Sequence, residues 1–113
     1  MAFARKNRLS GKNAVNAVIR GGRKVVSGGF IAYFKESAEK NWRAAISVSK
    51  KVDKRSTVRN KLRRRISEIM KKNITGKNRC FDIFIQVRPE AAGLDFERLN
   101  GEFVRVFKSM ASL

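Results

Sequence analysis

The chain has 113 residues, 42% of them hydrophobic, and carries 27 Lys and Arg against 9 Asp and Glu, a net charge of +18 with no His. That length allows one domain with a small core, and the charge calls for a polyanionic partner, nucleic acid ahead of an anionic membrane. With no His and one Cys, the chain has no imidazole base, no His-ligated metal, no internal disulfide and no thiolate cluster.

Other classes fall away on pattern. No apolar run approaches the ~20 residues of a membrane span, and the N-terminus lacks the apolar segment of a secretory signal. Together with the lone Cys80 this predicts a reducing, cytoplasmic setting. No glycine-rich phosphate loop of the usual spacing occurs. The carboxylates are scattered, apart from Asp95 and Glu97, so the side chains offer no candidate catalytic site. The charge is segregated: residues 1–24 hold seven basic and no acidic residues, residues 50–79 thirteen and two, residues 80–113 four and five. The first third and the centre therefore carry the ligand signal, and the last third reads as scaffold.

Residues 1–8 show no periodicity and are expected to form a mobile basic arm. Ser10 is the candidate N-cap of a short helix in which Val15, Val18 and Ile19 share a face and Gly21-Gly22 ends the run. Val25–Phe34 reads as a first strand interrupted by Gly28-Gly29. Its alternation sets Phe30, Ala32 and Phe34 against Ile31 and Tyr33. After a polar turn over Glu36–Asn41, Trp42, Ala44, Ile46 and Val48 alternate with Arg43, Ala45, Ser47 and Ser49, the cleanest strand pattern in the chain.

From Thr57 the chain becomes an amphipathic helix, with Ser56 or Thr57 as its cap. Val58, Leu62, Ile66, Ile69 and Met70 make one apolar stripe. Asn60, Arg64, Ser67 and Lys71 project opposite it, and Arg59, Lys61, Arg63 and Arg65 flank it. Solvated helices normally mix signs, because like charges at i, i+4 repel. Here Arg59/Arg63 and Lys61/Arg65 are such pairs, and bound phosphates would relieve them. Asn73–Arg79 is a predicted loop. Phe81–Val87, nearly all apolar, reads as a strand buried on both faces, stopped by Pro89 and bordered by Cys80 as a buried thiol. Strand, helix, strand favours parallel pairing. Phe96, Leu99, Phe103, Val106, Phe107 and Met110 predict a core-facing final helix. The expected fold is one α+β domain over residues 1–113, of order α-β-β-α-β-α around a central four-stranded type of sheet.

The stretch Lys50-Lys51, Arg59-Asn60, Arg63-Arg64 and Glu68 resembles the protein component of bacterial ribonuclease P, in which a lysine pair after a strand precedes an Arg-Asn pair, further basic residues and a Glu on one helix. The likeness runs from Asn7-Arg8-Leu9 to the final helix. This chain has Ser56 where the family usually has alanine, and Ser67 where it usually has arginine. The resemblance implies a left-handed β-α-β crossover. It also implies an RNA subunit that does the chemistry, cutting the 5′ leader from precursor tRNA with magnesium at the RNA active site. No cofactor is then held by protein side chains, and no membrane or protein partner is required. RNA contacts are expected from Lys50, Lys51, Arg59, Asn60, Arg63 and Arg64, with Lys61 and Arg65 added from the charge pattern. A leader cleft is expected at Val15, Ile19 and Tyr33, of which only Tyr33 keeps the family's aromatic character. The alternative is a structural ribosomal RNA-binding protein. A DNA-reading helix fits less well, since strands rather than a short turn and partner helix flank the basic segment.

Overall fold

The computed structural model describes residues 3–37, 41–74 and 80–111. The elements are α1 (Lys12–Gly21), β1 (Arg23–Val26), β2 (Phe30–Glu36), β3 (Arg43–Ser47), α2 (Ser56–Ile74), β4 (Phe81–Val87) and α3 (Phe96–Ala111), with short 3-10 turns at Arg5–Asn7 and Pro89–Gly93. One sheet of order β1-β2-β4-β3 joins the strands. β1 with β2 and β2 with β4 are antiparallel, and β3 with β4 is parallel, as the strand-helix-strand pattern predicts.

The fourth strand comes from a reversal that the sequence reading took as an interruption. Ser27 N–H donates to the Phe30 carbonyl at 2.9 Å, so Val25 and Phe34 lie on antiparallel neighbours rather than on one strand. A Cβ on Gly29 would stand 2.8 Å from Leu94 Cδ1, so the turn passes too close to the following layer for a side chain. The Ser27 hydroxyl donates to Glu102 Oε2 at 2.8 Å and ties the turn to α3. That bond, followed by Arg105, holds the Glu102 carboxyl below its ordinary pKa.

Alternation then sorts the sheet into two faces. Phe30, Ala32, Phe34, Ile83 and Ile85 join Ile66, Ile69 and Met70 of α2 and Leu99, Phe103 and Val106 of α3 in one buried cluster. The Phe103 ring stacks on Phe30 with centroids 3.9 Å apart and planes 7° apart. α1 packs on the opposite face, against β1, β2 and β4, with Val18 buried. α1 is ten residues long, about 15 Å at 1.5 Å per residue, and covers only part of that face. β4 is therefore not buried on both sides as expected: Phe81, Ile83, Ile85 and Val87 are buried, Asp82 and Phe84 half-buried, and Gln86 exposed.

Other expectations are corrected at the ends of elements. The segment read as a mobile arm is docked from Phe3 onward. Phe3 is buried and meets Trp42 edge-on at 5.4 Å. Asn7 Nδ2 donates to the Trp42 carbonyl at 2.8 Å, and Leu9 N–H to that of Ala44 at 2.9 Å. The apolar bodies of Phe3 and Leu9 outweigh the segment's charge. Gly11, with φ 90°, caps α1 in place of Ser10. Gly22 is extended (φ −96°), not left-handed. Glycine fits there because a Cβ would lie 2.5 Å from the Val18 oxygen and 2.6 Å from that of Phe34. Arg55 caps α2, its carbonyl accepting from Arg59 N–H at 3.1 Å, so Ser56 and Thr57 are already helical. Asn73 and Ile74 complete α2 rather than opening the loop, and residues 75–79 lie outside the described set, as do residues 38–40 of the polar turn. Cys80 is half-buried rather than enclosed. Phe96, at the first position of α3, is exposed, and the Met110 side chain is outside the described set.

Candidate nucleic-acid interface

The two halves of α2 serve different purposes. In its C-terminal half Ile66, Ser67, Ile69, Met70 and Ile74 are buried, in the part of the fold where α2 meets β3 and α3. Ser67, projected onto the polar side, is 1% exposed. It is buried with its neighbours Ile66, Ile69 and Met70, and the Ser67 hydroxyl donates to the Arg64 carbonyl at 2.7 Å. An arginine at this position would have to leave the core. In the N-terminal half Val58 and Leu62 remain half-buried, while Asn60, Lys61, Arg64 and Arg65 are exposed. Lys61, Arg64, Arg65 and Lys72 form no ion pair among the described residues.

Arg59 and Arg63 differ from their neighbours, because both are half-buried. Arg59 Nη1 donates to the carbonyls of Asp53 (3.1 Å) and Lys54 (2.8 Å). Arg63 Nη1 donates to Asn60 Oδ1 at 2.8 Å. Asp53 in turn accepts from the Arg55 backbone N–H (2.9 Å), Nε (3.1 Å) and Nη2 (3.0 Å). The Arg55 side chain and backbone hydrogen bonds hold the Asp53 carboxyl down at about 2, and Asp53 raises the pKa of Arg55. These bonds fix the connection from β3 into α2. Lys50 and Lys51 stand exposed on its turn, closed by Val52 N–H on the Ser49 carbonyl at 3.1 Å, and Val52 is buried beneath them.

The second surface is the outward face of the sheet. Register places Lys24, Tyr33, Phe84 and Ala45 in one row across all four strands. The Tyr33 and Phe84 rings lie 6.1 Å apart at 32°, and Lys24 Nζ stands 6.0 Å from the Tyr33 centroid, at the limit of cation–π attraction. The neighbouring rows hold Val26, Ile31, Gln86 and Ser47 on one side, and Lys35, Asp82 and Arg43 on the other. Asp82 is the one carboxylate on this face of the described strands. Arg43 neutralises it through two bonds, Nε–Oδ1 at 2.9 Å and Nη2–Oδ2 at 2.7 Å. On α1, which packs on this side of the sheet, Val15 is half-buried and Ile19 is 37% exposed. The face is thus apolar, aromatic and positively rimmed, which suits single-stranded bases and their phosphates.

The sequence-predicted residues therefore fall into two groups. Lys50, Lys51, Lys61, Arg64 and Arg65 present open charge, Asn60 is an exposed neutral amide whose Oδ1 accepts from Arg63, and Arg59 and Arg63 are partly engaged in holding the loop and helix. Val15, Ile19 and Tyr33 lie on α1 and on the outward strand face beneath it. Phe84 was missed. Asp82 and Gln86, two positions before and after it on the same strand face, are the sequence signal that could have found it, since they mark that face as the polar one.

Such an arrangement, a one-sheet α+β domain with an arginine-rich crossover helix beside an open aromatic strand face, is that of an RNA-binding protein. Residues 3–111 match the ribonuclease P family, and the chain belongs to it. It is 26% identical over 113 residues to the ribonuclease P protein component of Mycoplasma pneumoniae, covering 100% of this chain and 95% of that one. With the protein component of Synechococcus elongatus it shares 31% over 114 residues, covering 97% and 91%. The fold is that of the ribonuclease P protein of Staphylococcus aureus, with a TM-score of 0.82 at 24% identity over 92% of this chain and 94% of that one. The Thermotoga maritima protein gives 0.79 at 24%, covering 90% and 96%. As a family member this chain is a protein subunit of ribonuclease P, acting in tRNA processing within an endoribonuclease holoenzyme whose RNA is its partner. The ribosomal alternative is set aside by that match.

Proposed function

We propose that this subunit positions substrate for a reaction carried out by the RNA. The exposed cations of α2 and the Lys50-Lys51 turn dock on the ribonuclease P RNA. The outward strand face receives the single-stranded 5′ leader of precursor tRNA, with bases on Tyr33 and Phe84 beside Val15 and Ile19. Magnesium acts at the RNA active site, the protein supplies no catalytic side chain, no further protein is needed, and the complex works in the cytoplasm. The observation that carries this reading is the juxtaposition of two unlike surfaces: dense charge on α2 suits structured RNA, and the aromatic row suits unpaired bases. A chain with no His and one Cys has little side-chain chemistry for hydrolysis.

Reconstitution with a ribonuclease P RNA and precursor tRNA at low magnesium tests it. The protein is expected to restore 5′ leader removal and to favour precursor over mature tRNA. Equal affinity for both tRNAs would overturn the leader assignment, and cleavage by the protein without the RNA would overturn the division of labour.

A further inference from the structure

The aromatic row does not end at the sheet. Beyond Ala45, on the edge strand β3, a groove of about 240 Å³ opens between the docked N-terminal segment and α2, lined by Phe3, Leu9, Ser10, Ala45, Ile46 and Arg63 among others. It exists because the N-terminal segment pairs with β3 at one residue only, Arg8 with Ala44, and then diverges into α1. Its floor is apolar. Arg8 and Arg63 are the charged residues in its lining, and no carboxylate contributes. Both arginines are half-buried. Each spends one nitrogen within the protein, Arg8 Nε on the Phe3 carbonyl (3.1 Å) and Arg63 Nη1 on Asn60 (2.8 Å), which holds the side chain in place and leaves other N–H groups to give.

An apolar slot of this size lies below the usual range of about 300–1,000 Å³ for drug-sized ligands and suits one planar base. Two positioned guanidinia at its sides suit the attached phosphate. Four strands spaced ~4.8 Å apart put β3 about 14 Å from β1, so a strand of RNA lying along the row would reach the groove past Phe84. We propose that the groove is a separate nucleotide subsite, taking one unpaired base of the precursor-tRNA leader beyond those on Tyr33 and Phe84, with the adjoining phosphate on Arg63 and Arg8. This rests on the assignment of the outward face to the leader.

The test uses reconstituted holoenzyme and precursor tRNAs whose leaders carry a single abasic nucleotide at successive positions. In the unmodified enzyme, abasic positions on the Tyr33–Phe84 row and one position beyond it should each weaken binding, by about tenfold for a base that loses one good contact. Ala45→Leu, which fills the groove and removes no charge, should abolish the penalty at the position beyond the row and keep the Tyr33-dependent penalty on the row. Arg63→Gln should weaken every precursor alike. If Ala45→Leu leaves both penalties intact, the subsite is refuted while the aromatic row stands. If Tyr33→Ala also leaves both intact, the leader assignment itself fails. If Ala45→Leu lowers affinity for the ribonuclease P RNA in the absence of tRNA, the groove belongs to that RNA and the proposal is overturned.

Discussion

Removing one ring from the aromatic row should cost precursor affinity and leave mature tRNA alone. A base stacked on an aromatic side chain contributes ~1–3 kcal/mol, roughly tenfold to more than hundredfold in affinity. Tyr33 and Phe84 are cross-strand partners with centroids 6.1 Å apart, so each props the other and the two losses couple. Tyr33→Ala or Phe84→Ala alone should therefore fall near the lower figure, about tenfold. The double variant should reach only about twenty- to fortyfold, short of the hundredfold of independent losses, a coupling of about 0.5–1 kcal/mol. Tyr33→Phe keeps the ring and should stay within about threefold. Both residues are half-buried, and truncating them also removes apolar packing against the sheet, so a fall in melting temperature is expected in every Ala variant. Binding must then be measured on folded protein, with holoenzyme at one salt concentration, for precursor and mature tRNA in parallel. Equal losses for both tRNAs would mean that the rings only pack the sheet, and the stacking argument would be wrong.

Four further outcomes are expected. If about five to eight phosphates are neutralised, log K for ribonuclease P RNA should fall against log salt with a slope of roughly −4 to −7; Arg64→Ala should flatten it by about one unit and Arg98→Ala not at all, whereas Arg59→Ala should also lower the melting temperature, because it releases the Asp53 and Lys54 carbonyls. Sulfate should raise the melting temperature more than chloride at matched ionic strength, since it binds the crowded cations of α2; equal shifts would reduce the effect to screening. Asp53 has a folded-state pKa depressed to about 2, so its ion pair with Arg55 stabilises the fold above the unfolded value of about 3.9 and is lost as pH falls through about 2; Asp53→Asn should be less stable than the parent near pH 6, a gap as wide at about pH 2 arguing against the pairing. Gly22→Ala should destabilise by about 1–3 kcal/mol, because backbone oxygens crowd the new Cβ, while Gly101→Ala, in open space within α3, should stabilise by about 0.5–1 kcal/mol in the same denaturant titration.

The sequence by itself determined the elements whose partners are local or one-sided. The alternation around Ala44 and Val48, the apolar stripe of α3 and the cationic length of α2 each follow from one period and one buried face, and period is a property of neighbours in the chain. The charge count likewise settled the class of partner, because no folding arrangement changes a net charge of +18. The tertiary structure decided what depends on residues far apart. Whether Gly28-Gly29 broke a strand or reversed it rested on Leu94 and Glu102. Ser67 was polar by projection and is buried in the fold. The N-terminal segment looked mobile because its partners, Trp42 and Ala44, lie some 35 residues away. For Phe84 the alternation was present, since Asp82 and Gln86 share its face of β4, but only the short reach of α1 leaves that face for a ligand.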